Sequence, residues 1–274
     1  MNSTFWAALA VNLAAAAGAS LAVLLVAFAV GSARRLHRVV DVAWGVAFSA
    51  VAAVGYFLSA GQGDDTRRLV VTLATCVWGL RLAAHIARRG RGHGEDPRYE
   101  KMLAKASGNR TLYALRTVYL LQAALVWLIS LPVQAAQYVP TPAGVLTWAG
   151  LGVWATGLAF EAIGDHQLAR FKADPAHHGR IMDRGLWSWT RHPNYFGDFL
   201  VWWGLYLMAC ATWQTALLCL ISPVVMSLLL IRGSGKRLLE RHMAGRPGYA
   251  AYTARTSGFV PRPPRRQTAR TERP

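Results

Sequence analysis

The chain has 274 residues, of which 54% are hydrophobic and only 16% are charged, and its formal net charge is +17. Long uncharged stretches alternate with short Arg-rich segments, which is typical of transmembrane helices and excludes a soluble globular enzyme. The three cysteines lie in apolar runs without CxxC spacing, which argues against a disulfide framework and against a thiolate metal site.

The sequence predicts an all-α, polytopic membrane protein with about seven transmembrane helices. Each uncharged stretch is close to the ~20 residues that are needed to cross a bilayer. The first stretch follows no basic residue and is too long for a signal peptide, so we expect it to stay in the mature protein. The predicted spans are 5–30, 39–60, 68–88, 112–131, 143–164, 195–212 and 215–232.

Lys and Arg residues fall in alternate connections between these spans. Three follow the first span, seven the third, five the fifth and eleven the last, whereas the intervening connections hold only Arg67 and Arg68. The positive-inside rule therefore predicts an N-terminus outside and a C-terminus in the cytoplasm. Because the positive residues are dispersed between spans, we expect contact with anionic headgroups and no binding of nucleic acid.

We expect one membrane domain over residues 1–260. Residues 261–274 contain four prolines and five arginines without apolar periodicity, so they predict a disordered basic tail. No internal repeat is evident.

Carboxylates beside apolar spans are costly, so their positions are informative. Glu161 and Asp165 are four residues apart and share a helical face, on which Lys172 also falls, and Asn194 and Asp198 repeat the spacing. As an alternative, such residues mark helix ends and pair with nearby arginines. The carboxylates in or beside a predicted span are Asp41, Glu161, Asp165, Asp198 and Glu240.

The polar segment 161–198 also holds cations and aromatic rings, and we expect it to fold back on the helix ends. Arginine forks suit phosphate oxygens, and flat rings suit a base, although aromatic residues are also common at membrane interfaces. Neither a P-loop nor a GxGxxG motif occurs, and the histidines lack convincing metal-ligand spacing. The cations of the segment are Arg170, Lys172, Arg180, Arg184, Arg191 and His192.

The run from Gly185 to Asp198, which contains RHPNYFG, resembles the signature that joins steroid 5-alpha-reductases to isoprenylcysteine carboxyl methyltransferases. The surrounding sequence is most similar to the bacterial branch called steroid 5-alpha-reductase C-terminal domain proteins. The resemblance covers about residues 34–264. Further matching segments are 78–82, 94–99, 161–172, 234–240 and 249–257.

The resemblance implies a cofactor, NADPH, held at the cytoplasmic side of a bacterial inner membrane. In the reductases, polar residues at the positions of Glu161, Asp165, Lys172, Asn194 and Asp198 hold this cofactor. Further candidate cofactor-binding residues are Arg191, His192, Tyr195, Glu240, Tyr252 and Arg255.

The resemblance also implies an acid that polarises the substrate carbonyl, for which the reductases use a Glu on the second helix and a Tyr on the third. Asp41 replaces the Glu as the candidate catalytic acid, with Arg38 or Arg81 as the alternative ion-pair partner of an ionised Asp41. The Tyr position falls near Trp78, so the steroid-specific pair is incomplete. Candidate substrate-binding residues are Trp44, Trp78, Arg81 and His85.

Three functions remain open. The first is an NADPH-dependent reductase of an activated C=C bond in a lipid or steroid-like substrate. The second is an S-adenosylmethionine-dependent methyltransferase that binds its cofactor through Arg191, His192 and Glu240. The third is a non-catalytic, lipid-binding membrane protein. The two acid-containing pairs and the five Lys and Arg residues of the polar segment favour a phosphorylated dinucleotide.

Overall fold

The computed structural model describes residues 3–233 and 235–264. Within them the chain is all-helical, with no strand, and its only β-type pairing is a single parallel bridge between Thr190 and Ser257. The predicted basic tail begins at residue 261, and its residues 265–274 lie outside the described part of the chain.

The helices follow the predicted spans closely. A π-helical segment, Leu115–Leu120, joins α5 to α6, and a 3-10 turn, Pro175–His177, follows α8. The helices are α1 (Ser3–Arg34), α2 (Val39–Leu58), α3 (Asp65–Gly90), α4 (Pro97–Leu103), α5 (Arg110–Ala114), α6 (Leu121–Ile129), α7 (Leu131–Ala136), α8 (Val145–Ala173), α9 (Leu186–Trp189), α10 (Pro193–Ala209), α11 (Trp213–Ile231), α12 (Lys236–Met243) and α13 (Tyr249–Arg255).

Six stretches of the described chain are long and apolar enough to cross a membrane, which indicates an integral membrane protein. The predicted span 195–212 corresponds to α10, which has 17 residues and is shorter than those six. The six stretches are Ser3–Arg34, Val39–Leu58, Asp65–Gly90, Arg110–Ile129, Val145–Ala173 and Trp213–Met243.

Helix α8 extends nine residues beyond the predicted end of its span. Apolarity locates the membrane crossing, but residues 165–173 contain neither Pro nor Gly and continue the helix by their own propensity. The helix stops before Pro175, where the Asp174 side chain accepts a hydrogen bond of 2.9 Å from the Ala176 N–H. Glu161, Asp165 and Lys172 therefore lie on one continuous helix, as the spacing predicts.

The chain divides into two compact units, and helices α8, α10 and α11 contribute residues to both. The first unit comprises Met1–Gly152 and Trp203–Val224. Its helices α2 and α3 pack closely at Gly45 and Gly79. There is no room for a side chain at this contact, because a Cβ on Gly79 would lie 2.5 Å from the Gly45 carbonyl oxygen. This backbone contact is surrounded by large rings, including the completely buried Phe48 and Trp78.

Arg67 and Arg68, which lie in the first turn of α3, are buried in the first unit. The Arg67 guanidinium donates to the carbonyl oxygens of Met208 and Pro142, each at 3.2 Å. Arg68 Nε donates to the Ser59 hydroxyl at 2.8 Å. Buried charges require such partners, so these two residues hold loops together and add little positive charge to the surface.

The second unit comprises Val153–Trp202 and Val225–Pro274. In it, α8 and α10 meet at Gly157 and Gly197, since a Cβ on either glycine would lie 2.5 Å from the carbonyl oxygen of the other. One heptad along α8, a Cβ on Gly164 would lie 3.1 Å from the Pro193 ring. Small residues at this interface bring the two backbones close enough for short polar side chains to reach across.

Candidate functional site

The second unit brings together the acid and amide residues that the sequence paired. Asn194 Nδ2, at the start of α10, donates a hydrogen bond of 3.2 Å to Asp165 Oδ1 on α8. Glu161 and Asp165 are 3% and 7% exposed, and Asp198 follows Asn194 by one helical turn. The structure therefore places these residues on two facing helices, whereas Lys172, further along α8, is exposed.

Glu240 of α12 contacts three basic side chains of the same unit. Its Oε1 accepts from Arg191 Nε at 2.9 Å and lies 3.2 Å from His192 Nε2. Its Oε2 lies 3.2 Å from Lys236 Nζ. Arg191 also donates to the Thr256 carbonyl oxygen at 2.9 Å, so its guanidinium is held on several sides within the protein.

Helix α13 forms hydrogen bonds and an ion pair with the loop that precedes α10. The Tyr252 hydroxyl donates to the Trp187 carbonyl oxygen at 2.6 Å, and Trp187 Nε1 donates to the Gly164 carbonyl oxygen at 3.0 Å. Arg255 forms an ion pair with Asp183. The polar segment thus folds back onto α8, as predicted, and Tyr252 and Arg255 stabilise that arrangement; a direct role in cofactor binding stays a prediction.

His192 is the least exposed titratable residue of this cluster, at 2%. Its ring stacks on Tyr195 with centroids 5.4 Å apart and an interplanar angle of 3°. Nε2 faces Glu240, whereas the buried Nδ1 has no hydrogen-bond partner among the described residues. With the ring proton on Nε2, Nδ1 presents a lone pair that can accept a hydrogen bond from a bound molecule.

Burial lowers the pKa of His192 to about 4, against the favourable effect of Glu240. Between pH 6.5 and 4 the unfolded chain binds a proton that the folded chain does not, so stability falls as the pH falls through this window. We expect a loss of about 3 kcal/mol in unfolding free energy from this residue. Unfolding titrations of the wild type and of His192→Gln check this; equal pH slopes would contradict it.

Asp41, the predicted acid, lies in the first unit at the start of α2 and faces two donors. Arg98 Nη2 lies 2.8 Å from its Oδ2, and the Tyr99 hydroxyl donates to its Oδ1 at 2.5 Å. The partner is therefore Arg98, in place of the expected Arg38 or Arg81. Burial, followed by the negative charge of Asp41, raises the pKa of Tyr99 well above its ordinary value, so this hydroxyl keeps its proton at neutral pH.

Arg98 and Tyr99 did not emerge from the sequence reasoning as site residues. Two signals were available: the resemblance, whose matching segments include 94–99, and Asp96-Pro97, an N-cap followed by Pro at the first helical position, which predicts a short helix there. The Asp96 side chain caps α4 by accepting from the Arg98 N–H at 2.8 Å. This cap fixes the start of the helix from which Arg98 and Tyr99 reach Asp41.

The predicted substrate-binding residues lie on α2 and α3 of the first unit. Trp78 is completely buried and packs edge-on against Phe48, which also contacts Trp44. Arg81 and His85 are half-buried and one helical turn apart on α3. Their contacts with a substrate remain predictions. Within residues 3–233 and 235–264, no group of three or more His, Cys, Asp or Glu side chains could hold a metal ion.

Comparison with known proteins gives a family and one distant relative. The chain is 23% identical over 248 residues to Uncharacterized protein C594.04c of Schizosaccharomyces pombe, and the aligned region covers 81% of this chain and 72% of the relative. No solved structure gives a significant match. The family model described as "Protein of unknown function (DUF1295)", a steroid 5-alpha-reductase-like group, matches residues 27–256, from before α2 to the end of α13. The chain therefore belongs to the DUF1295 family.

Proposed function

We propose that the protein is a membrane-embedded, NADPH-dependent reductase of an activated C=C bond in a lipid or steroid-like substrate. The observation that supports this function best is the polar cluster on α8 and α10. Glu161 and Asp165 are both buried on α8, Asp165 accepts a hydrogen bond from the Asn194 amide, and His192 adds an unused Nδ1 in the same unit. Buried polar groups of this kind are common where a cofactor binds.

The cluster suits one part of the proposed cofactor better than another. Carboxylate and imidazole acceptors match the hydroxyl and carboxamide N–H groups of a dinucleotide, and the Asn194 amide can both donate and accept. The phosphates require cations, but Arg191 and Lys236 already contact Glu240. Arg191 would therefore hold a phosphate only by sharing its donors with Glu240. NADPH, when bound, supplies a hydride.

Reduction of a conjugated C=C bond also needs a group that stabilises the developing negative charge on the substrate oxygen and supplies a proton. In the first unit, Asp41 accepts from Tyr99, so the proton lies on the Tyr99 hydroxyl. We assign the acid role to Tyr99 and the orientation of Tyr99 to Asp41. Asp41 as the direct donor, which the sequence suggested, is the competing assignment.

A methyltransferase that uses S-adenosylmethionine is the second candidate, and a specific observation favours it. Arg191 and Lys236 pair with Glu240, and Arg255 pairs with Asp183. This charge compensation leaves fewer free cations for a pyrophosphate, whereas a zwitterionic methyl donor needs none. The same buried His192 could then accept a hydrogen bond from the bound cofactor.

The two candidates differ in the ligand that stabilises the folded protein. A ligand that binds only the native state raises the unfolding temperature, because it adds to the free energy of unfolding. At 100 times its Kd this addition is about 2.7 kcal/mol. We expect NADPH to raise the thermal midpoint of the purified, detergent-solubilised protein. We expect Asn194→Ala/Asp198→Ala to abolish this rise while the midpoint without ligand changes little.

Gln62→Ala/Glu100→Ala is a matched control, because it removes one amide and one carboxyl side chain at exposed positions of the first unit. This control should keep the NADPH response. A full NADPH response in a folded Asn194→Ala/Asp198→Ala protein would refute the cofactor site. A response to S-adenosylmethionine and none to NADPH would replace the reductase by the methyltransferase.

We also propose that the C-terminus and the second unit's polar residues face the cytoplasm of a bacterial inner membrane. The burial of Arg67 and Arg68 supports this orientation. These two residues are the only Lys or Arg that the sequence assigns to connections on the outer side, and their burial removes that positive charge from the surface. In a background without native cysteines, an external thiol reagent should label Thr141→Cys but leave Lys105→Cys unlabelled. Both positions are exposed, so the reverse pattern would invert the topology.

A further inference from the structure

A groove of about 420 Å³ lies in the second unit, between the end of α8 and the loop before α9. Phe171 and His177 stack in it with centroids 4.3 Å apart and an interplanar angle of 12°. Gly185 has a φ of +58°, which favours glycine, and its backbone packs against Gln167. Gln167 Oε1 in turn accepts from the Leu186 N–H at 3.0 Å, which fixes this wall of the groove.

The groove is separate from the polar cluster on α8 and α10. At 3.6 residues per turn, Gln167 and Arg170 lie about 120–180° around α8 from Glu161 and Asp165, and Phe171 lies about 80–120° from them. Burial agrees with this placement, because Glu161 and Asp165 are buried whereas Arg170 is exposed. The two sides of the same helix therefore present different chemistry.

The groove carries a net positive charge, because two arginines and one carboxylate, Asp174, line it. Arg170 and Arg184 both line it, and neither guanidinium has a hydrogen bond or an ion pair with any residue among 3–233 and 235–264. The carboxylate in the lining, Asp174, accepts from the Ala176 N–H and lies 3.3 Å from His177 Nδ1, and it forms no ion pair with either arginine. Two free arginines beside a flat aromatic surface match an anionic group attached to an apolar or planar body.

We propose that this groove binds a phosphate group, held by Arg170 and Arg184, with the rest of the ligand against the Phe171–His177 stack. The phosphate belongs either to the headgroup of an anionic lipid or to a soluble phosphorylated compound. The groove lies 3–10 residues past the predicted end of the fifth span along α8, which is about 5–15 Å at the helical rise, so its near end falls in the headgroup layer, which is about 5–8 Å thick on each side.

The test compares Arg170→Gln/Arg184→Gln with Arg237→Gln/Arg241→Gln, which removes the same charge from exposed positions outside the groove. Native mass spectrometry of the full chain in detergent measures binding of dioleoylphosphatidylglycerol, with dioleoylphosphatidylcholine as the neutral lipid. Thermal unfolding in the presence of inorganic phosphate or AMP measures binding of a soluble phosphate. The groove variant should bind its phosphate ligand about tenfold more weakly or worse, and the control should bind it as the wild type does.

A loss confined to phosphatidylglycerol supports a lipid headgroup, and a loss of the phosphate or AMP response supports a soluble ligand. Equal affinities in both variants and the wild type would overturn the proposal. The NADPH response is measured in parallel and should be unchanged in the groove variant. If it disappears there, the groove is part of the cofactor site and is not a separate phosphate site. A protein that never responds to NADPH leaves the phosphate result unaffected.

Discussion

Gly157→Ala should lower the free energy of unfolding by about 1–3 kcal/mol, the usual cost of overpacking, and should also weaken binding at the α8–α10 cluster. The added Cβ would lie 2.5 Å from the Gly197 carbonyl oxygen and 2.7 Å from the Val201 nitrogen. These neighbours are backbone atoms, so a side-chain rotation cannot relieve the contact and the helices must separate. An unfolding titration in mixed SDS and mild-detergent micelles measures the loss.

Gly152→Ala is the matched control on the same helix. A Cβ at Gly152 has no other atom within 4 Å, so the substitution should stabilise α8 by about 0.5–1 kcal/mol through the higher helix propensity of Ala. The two substitutions should thus change stability in opposite directions. Equal effects would show that Gly157 is not the contact that holds α8 against α10.

Tyr99→Phe should reduce the rate of single-turnover hydride transfer by about 10²–10⁴-fold, the range expected for loss of a general acid. The substitution removes the hydroxyl that donates to Asp41 and leaves the ring in place. The oxidation of NADPH, followed by absorbance with a lipid enone as the substrate, measures the rate. NADPH affinity, measured by thermal unfolding, should be retained because the cofactor cluster lies on other helices.

Asp41→Asn and Tyr113→Phe separate the possible roles. If Asp41 acts by orienting Tyr99, Asp41→Asn should reduce the rate of hydride transfer less than Tyr99→Phe does. A larger reduction in Asp41→Asn would return the acid role to Asp41. Tyr113→Phe, a change of the same type on α5, should leave the rate unchanged. A wild-type rate in Tyr99→Phe would remove that hydroxyl from the reaction.

The succession of apolar stretches and charged connections determines the helices of this protein. The predicted span 39–60 corresponds to α2, and 215–232 to α11, each within two residues. These boundaries are local properties, because a bilayer requires ~20 apolar residues whatever the rest of the chain does. The four-residue spacing of Glu161 and Asp165 likewise fixes a shared face as soon as the helix continues.

The side-chain contacts between helices depend on how closely the helix backbones approach each other. The composition of the sequence does not reveal this approach. Gly157 and Gly164 are seven residues apart on α8, a spacing that could have marked one face of that helix, but only the structure pairs this face with Gly197 and Pro193. That close approach is what allows Asn194 to reach Asp165.

The partners of charged residues were also decided by tertiary structure. Nothing near Asp41 in sequence identifies Arg98, 57 residues away, as its ion-pair partner. The sequence predicted cations for phosphate in the loop before α10, yet Arg191 and His192 both face Glu240. Arg170 and Arg184, by contrast, line a groove and form no ion pair with the described residues. Sequence thus determined the spans and the residue types near their ends. Pairing between charges required folding, because ion pairs depend on distances of a few ångströms between segments far apart along the chain.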